Sequence, residues 1–128
     1  MMPTESHKGL VWMGDSRSRL RDFPDHVREE IGYALYLAEF GDSHPSVKHM
    51  QGYNAVEIVA DYDGDAYRGV YTTRFQDCIY VLHCFQKKSK RGAATPKSHL
   101  SLIKKRLQEA EKHYRASKKN EKNNQNRT

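Results

Sequence analysis

Short apolar stretches alternate with polar turns along the chain, and each stretch has its own period. Gly9-Leu10-Val11-Trp12-Met13 is an apolar run after a polar start and predicts a strand. Asp15-Ser16 offers caps for a short helix over Arg17 to Phe23, and Pro24 suits the first turn of another. From Asp25 the apolar positions Val27, Ile31, Ala34, Leu35 and Ala38 recur at helical spacing. Asp25, Glu29 and Glu30 favour its N-terminal end through the helix dipole, and Gly41 ends it.

The middle of the chain changes to period two. Val56, Ile58 and Ala60 alternate with Glu57, Val59 and Asp61 as in a half-buried strand, and Asp63-Gly64-Asp65 is a turn. Ala66 to Phe75 predicts a second strand and Cys78 to Phe85 a third, β-branched and aromatic. The short connections make these three an antiparallel meander. Thr95-Pro96 then caps a helix in which Leu100, Ile103, Leu107, Ala110 and Tyr114 form one apolar stripe, with Lys104, Lys105, Arg106 and Lys112 assigned to the outer face. The predicted order is β-α-α-β-β-β-α. The expected class is α+β, a compact antiparallel sheet with helices packed on one face and the other open to a ligand.

A chain of 128 residues suits one domain. The expected boundaries are a flexible N-terminus over 1–8, a folded domain over 9–114 and a disordered basic tail over 115–128, where only Ala116 is apolar. The longest apolar run, Tyr33 to Ala38, is far short of the roughly 20 residues of a membrane helix, so no membrane partner is expected. No basic segment leads into an apolar stretch at the start, so a secretory signal is not expected either. Cys78 and Cys84 fall on one strand, roughly 20 Å apart at about 3.3 Å per residue. That is too far for a disulfide and fits two thiols in a reducing cytoplasm.

Charge is unevenly placed. Residues 1–86 carry 8 Lys/Arg against 13 Asp/Glu, whereas residues 87–128 carry 14 against 3. The switch falls at Gln86-Lys87-Lys88-Ser89-Lys90-Arg91. A concentrated basic end fits an anionic partner such as nucleic acid or an acidic protein segment; the alternative is a solvated helix face with a loose tail. Arg68 and Arg74 share a strand face by parity, and a guanidinium fork suits phosphate. The alternative for Arg68 is a surface pair with Asp61 or Asp63. Lys87 and Lys88 stand where the third strand meets its rim, either as phosphate ligands or as a solubilising edge. His83, given the parity of Ile79, Val81 and Phe85, is either a general acid–base or a satisfied core histidine. Tyr53, in the turn after His49, either stacks on a base or packs in the turn. No phosphate-binding loop, dinucleotide fingerprint, nucleophile elbow or metal-ligand spacing occurs, and no cofactor is expected.

Taken in order, Val47-Lys48-His49-Met50-Gln51-Gly52, Val56-Glu57-Ile58, Tyr67-Arg68-Gly69-Val70-Tyr71, the segment from Ile79 to Lys88, and Thr95-Pro96 resemble the RelE/ParE toxin superfamily, in particular its HigB-like, phage-related branch. The resemblance covers about residues 9–114. It implies a cytoplasmic toxin of a type II toxin–antitoxin system, a ribosome-dependent mRNA endonuclease that inhibits translation. The RNA's own 2′-hydroxyl would attack the adjacent phosphate without a metal. The implied partners are mRNA on the ribosome and a cognate antitoxin of helix-turn-helix type. By position, Arg68, Lys87 and Lys88 would be catalytic, and Arg74, Lys90, Arg91, His83 and Tyr53 would contact RNA. The arginine usual on the first meander strand is replaced by Val59, and lysines that some members carry there have no match at Asn54 and Val56. The tyrosine of some members has no clear counterpart. The alternatives are a ParE-like, non-enzymatic gyrase inhibitor and an inactive RNA- or antitoxin-binding relic.

Overall fold

The computed structural model describes residues 8–87 and 95–126, with side chains as far as 123. The elements are β1 (Gly9–Trp12), α1 (Ser16–Arg21), α2 (Asp25–Glu39), β2 (Val47–His49), β3 (Val56–Tyr62), β4 (Asp65–Tyr71), β5 (Cys78–Lys87) and α3 (Lys97–Asn126). The α+β class is the expected one. Strand β2 was not anticipated, because three residues are too few to show a period; it pairs antiparallel with β3 at the sheet edge.

The sheet order is β1-β5-β4-β3-β2. β3 to β5 form the predicted antiparallel meander. The β3–β4 hairpin closes through Asp63 and Gly64, both at positive φ (51° and 83°), the conformation that an Asp-Gly turn supplies at least steric cost. The sheet is not wholly antiparallel, however. β1 inserts beside β5 and runs parallel to it, in register from Gly9 with Cys78 to Trp12 with Val81. That makes β5 an inner strand covered on both faces, which accounts for its almost continuous burial. Lys8, expected to be loose, is tied to the fold by its N–H, which donates to the Glu39 carbonyl at 2.8 Å.

The helices do not share one face. Val27, Ile31, Ala34, Leu35 and Ala38 of α2 pack on Ile58, Ala60, Tyr67, Tyr71 and Ile79, together with Leu20 of α1. Ile103 and Ala110 of α3 pack with Val70, Tyr80, Leu82 and Phe85 on the other face. The sheet therefore has apolar side chains on both sides, and α3 closes the face expected to be open. The apolar stripe of α3 was legible, but which face it covers depends on the unpredicted path of the chain after β5.

Two further expectations need correction. β4 stops at Tyr71, and Arg74 and Phe75 lie in the connection to β5; Thr72 still exchanges hydrogen bonds with Tyr80. The segment expected to be a disordered tail is helical to Asn126, although residues 115–123 are exposed. Its Lys, Glu and Gln residues are good helix formers. Arg115 pairs with Glu111, and Lys118 pairs with Asp77 and Glu121, which extends the helix beyond its packed part.

Candidate functional site

Alternation along β4 turns Tyr67, Gly69 and Tyr71 toward α2, so Arg68 and Val70 face the α3 side. On that face Arg68 stands opposite Val59 of β3 and Phe85 of β5. Its diagonal neighbours are Glu57 and Asp61 on β3 and His83 and Lys87 on β5. The Arg68 side chain is only 13% exposed and is held on three sides. Nη1 donates to Asp61 Oδ1 at 3.2 Å and to the Tyr67 carbonyl at 2.9 Å, and Nε lies 3.9 Å from Glu57 Oε1. The pairing with Asp61 weighed in the sequence is thus formed. Asp61 is 66% exposed, so this carboxylate can swing into solvent and give way to another anion.

Lys87 is buried at the last position of β5, on the same face as Arg68 and Phe85. Lys88, Lys90 and Arg91 lie outside the described residues; the chain that carries them leaves β5 from this end of the sheet.

A bulge fixes His83. Val70 pairs with His83 but Tyr71 pairs with Val81, so Leu82 is an extra residue in β5. The parity assigned to His83 is therefore broken. Ile79 and Val81 point to the α2 core, whereas Leu82, His83 and Phe85 all face α3. Carbonyls that a bulge leaves without ladder partners need other donors. Val81 accepts from Ser16 Oγ at 3.1 Å and from the Met13 N–H, and Leu82 accepts from Arg106 Nη1 at 2.9 Å.

His83 is fully buried and lies 2.9 Å, Nε2 to Nδ1, from His99 at the start of α3. Phe85 stacks on both rings, with centroids 5.0 and 4.2 Å away. Arg106 Nη1 is 3.5 Å from His83 Nδ1, and Nη2 donates to Asp15 Oδ1 at 2.9 Å. Burial, then the positive potential of His99 and Arg106, lowers the His83 pKa to about 4. Burial and the Arg19 charge lower that of His99 as well. Hydrogen bonds from Arg19 and Arg106 lower Asp15 to about 2. His83 is thus a satisfied core histidine. If Nδ1 accepts from Arg106, its Nε2–H donates to His99, whose own Nε2–H is then the outward donor.

His99, Arg106, Asp15 and Glu57 were not singled out in the sequence. A signal existed for two of them. His99, Ile103, Arg106, Ala110 and His113 follow one another at spacings of 4, 3, 4 and 3, and all five meet β5 or are buried against it. Arg106, assigned to the outer face, is turned inward with an 11% exposed side chain.

The other proposed RNA contacts fall elsewhere. Arg74 does not join Arg68; it pairs with Glu111 of α3 at 3.1 Å and lies 5.1 Å over the Phe75 ring. Tyr53 and Arg74 instead line a common groove beside α3, of about 470 Å³. The cysteines are free thiols, with Cys84 pushed up to about 12 by burial. Among the described residues no helix is long and apolar enough to cross a membrane, and no group of three or more His, Cys, Asp or Glu is placed to hold a metal ion.

A five-stranded sheet with a cationic, histidine-bearing face near the exit of its central strand defines a small α+β protein of RelE/toxin-like type. The chain belongs to the family described as phage derived protein Gp49-like (DUF891), whose model matches residues 18–108, from within α1 to within α3. That family is associated with the toxins of toxin–antitoxin systems. No curated protein and no solved structure gives a match.

Proposed function

We propose that this chain is the toxin of a type II toxin–antitoxin pair, of the HigB-like branch, and that it cuts mRNA on the ribosome. The observation that carries this reading is the set around Arg68: His83, Phe85 and Lys87 of β5 flank it on one sheet face, where the basic segment from Lys88 to Arg91 leaves the strand. The reaction needs no group beyond the RNA and the protein. The ribose 2′-oxygen attacks phosphorus, its proton passes to a base, and the 5′-oxygen leaves with a proton as a 2′,3′-cyclic phosphate forms. Arg68 is the cation for the phosphorane oxygens, displacing Asp61, with Lys87 and Lys88 adding charge stabilisation. His99, kept neutral and orientated by His83, is the group suited to move a proton near neutral pH. The partner is an antitoxin that covers this face.

The test is induced expression in a bacterium, with growth followed and mRNA 5′ ends mapped within minutes. New ends in phase with codons on translated messages, absent in Arg68→Ala, are expected. Growth arrest without new ends would replace this reading by gyrase inhibition. Soluble protein without arrest would leave a binding relic.

A further inference from the structure

The groove beside α3 has the composition of a base-binding site rather than of a gap in packing. One wall is the turn with Tyr53 and Asn54, and the other is the outer side of α3 with Lys104, Leu107 and Gln108. Arg74 closes one end, its guanidinium fixed by Glu111 and by the Phe75 ring. Tyr53 and Leu107 are half-buried and pack on the α3-side core, so the apolar surfaces are set in place by the fold. Asn54, Lys104 and Gln108 are exposed. The volume lies in the roughly 300–1,000 Å³ range of sites that take small ligands.

We propose that this groove holds one unstacked base of single-stranded RNA, as a subsite separate from Arg68; the choice of RNA rests on the function proposed above. Tyr53 supplies a π-face on which any base stacks. The Asn54 and Gln108 amides each carry a donor and an acceptor, which is what the polar edge of a base requires. Lys104 and Arg74 outweigh the single carboxylate of Glu111 and take the flanking phosphates. The groove is on the same side of the sheet as Arg68. The six residues from Arg68 to Arg74 span at most roughly 20 Å. One RNA strand along this face reaches both, so the groove selects the base at a fixed offset from the scissile phosphate.

The test uses the full chain and 5′-labelled single-stranded oligoribonucleotides of each base, read by fluorescence anisotropy at one fixed salt concentration. Tyr53→Ala is expected to weaken binding about tenfold, with Tyr53→Phe close to the parent. Gln108→Ala is expected to change the order of preference among bases, and Lys104→Glu to weaken all of them alike. The last two positions are exposed on a helix and keep the test decisive if Tyr53→Ala unfolds. Absence of binding by the parent chain overturns the proposal, as does parental behaviour of both Gln108→Ala and Lys104→Glu. So does an effect of these changes on antitoxin affinity alone, which would make the groove a peptide site. Cleavage is not read here. A chain that binds RNA through the groove but produces no new mRNA ends in cells leaves the subsite standing and removes the nuclease.

Discussion

His83 Nε2 and His99 Nδ1 lie 2.9 Å apart, one on the bulged central strand and the other in the first turn of α3, with Phe85 stacked on both rings. The contact joins a buried histidine to a half-buried one at the end of the sheet where Arg68 and Lys87 stand. Neither ring has a carboxylate within hydrogen-bonding distance among the described residues, and Arg106 adds a positive charge beside His83. The pair is therefore built to be neutral.

That neutrality makes stability depend on pH. The unfolded chain binds a proton on His83 below about 6.5, whereas the folded chain resists it until about 4. The unfolded state thus holds more protons throughout that window. Stability is fully present above about pH 6.5 and falls progressively toward pH 4, by up to about 3 kcal/mol from this residue. Urea midpoints at pH 7.5, 6.0 and 5.0 check this. The slope should flatten in His83→Phe; an unchanged slope would move its origin to other groups.

Arg68 and Asp61 act in opposition. Removing the Arg68 guanidinium should abolish growth inhibition while costing only about 1 kcal/mol of stability, because its better partner is exposed. Asp61→Ala should have the reverse effect on RNA. It takes away the competing carboxylate, so affinity for an oligoribonucleotide should rise, with a steeper salt dependence. Equal affinity in Asp61→Ala and the parent would show that Asp61 does not compete with phosphate.

Arg106 holds the bulge. Arg106→Ala leaves the Leu82 carbonyl unpaired in the interior and should cost about 2–3 kcal/mol, seen as a lower thermal midpoint. Gly14 is coupled to the same guanidinium. Its φ is +52°, and a Cβ there would collide with the Arg106 side chain. Gly14→Ala should therefore cost more than the roughly 1 kcal/mol of the backbone conformation alone. In an Arg106→Ala background part of that cost should disappear, which a double-mutant cycle would measure.

Cutting the chain after Lys119 removes exposed helix and keeps the Lys118 pair with Asp77. The thermal midpoint should stay within about 1 kcal/mol equivalent of the parent, while far-ultraviolet ellipticity falls by the lost turns. A large loss of stability would mean that the last residues make packing contacts.

Much was legible in local pattern. The 3.6-residue stripes of α2 and α3, the Asp-Gly hairpin and the meander follow from spacing that neighbouring residues alone enforce. The cationic segment and the sheet position of Arg68 followed from the same counting. His83 was recognised as a candidate, but its face was misassigned, since counting by twos fails across an inserted residue such as Leu82. Arg74 was placed on the strand because Thr and aromatic residues continue past Tyr71.

The sequence by itself determined which segments are helix or strand, which side chains share a local face, and where positive charge accumulates. All of these depend on interactions among residues close in the chain. Tertiary structure alone decided that β1 lies parallel beside β5, that α3 covers the second face, and that Arg106 turns inward to a carbonyl 24 residues away. It also brought His99 to His83 and Tyr53 to Arg74. These are pairings between distant segments, selected by burying both faces of the sheet and satisfying the carbonyls of its bulge, and no local period encodes them.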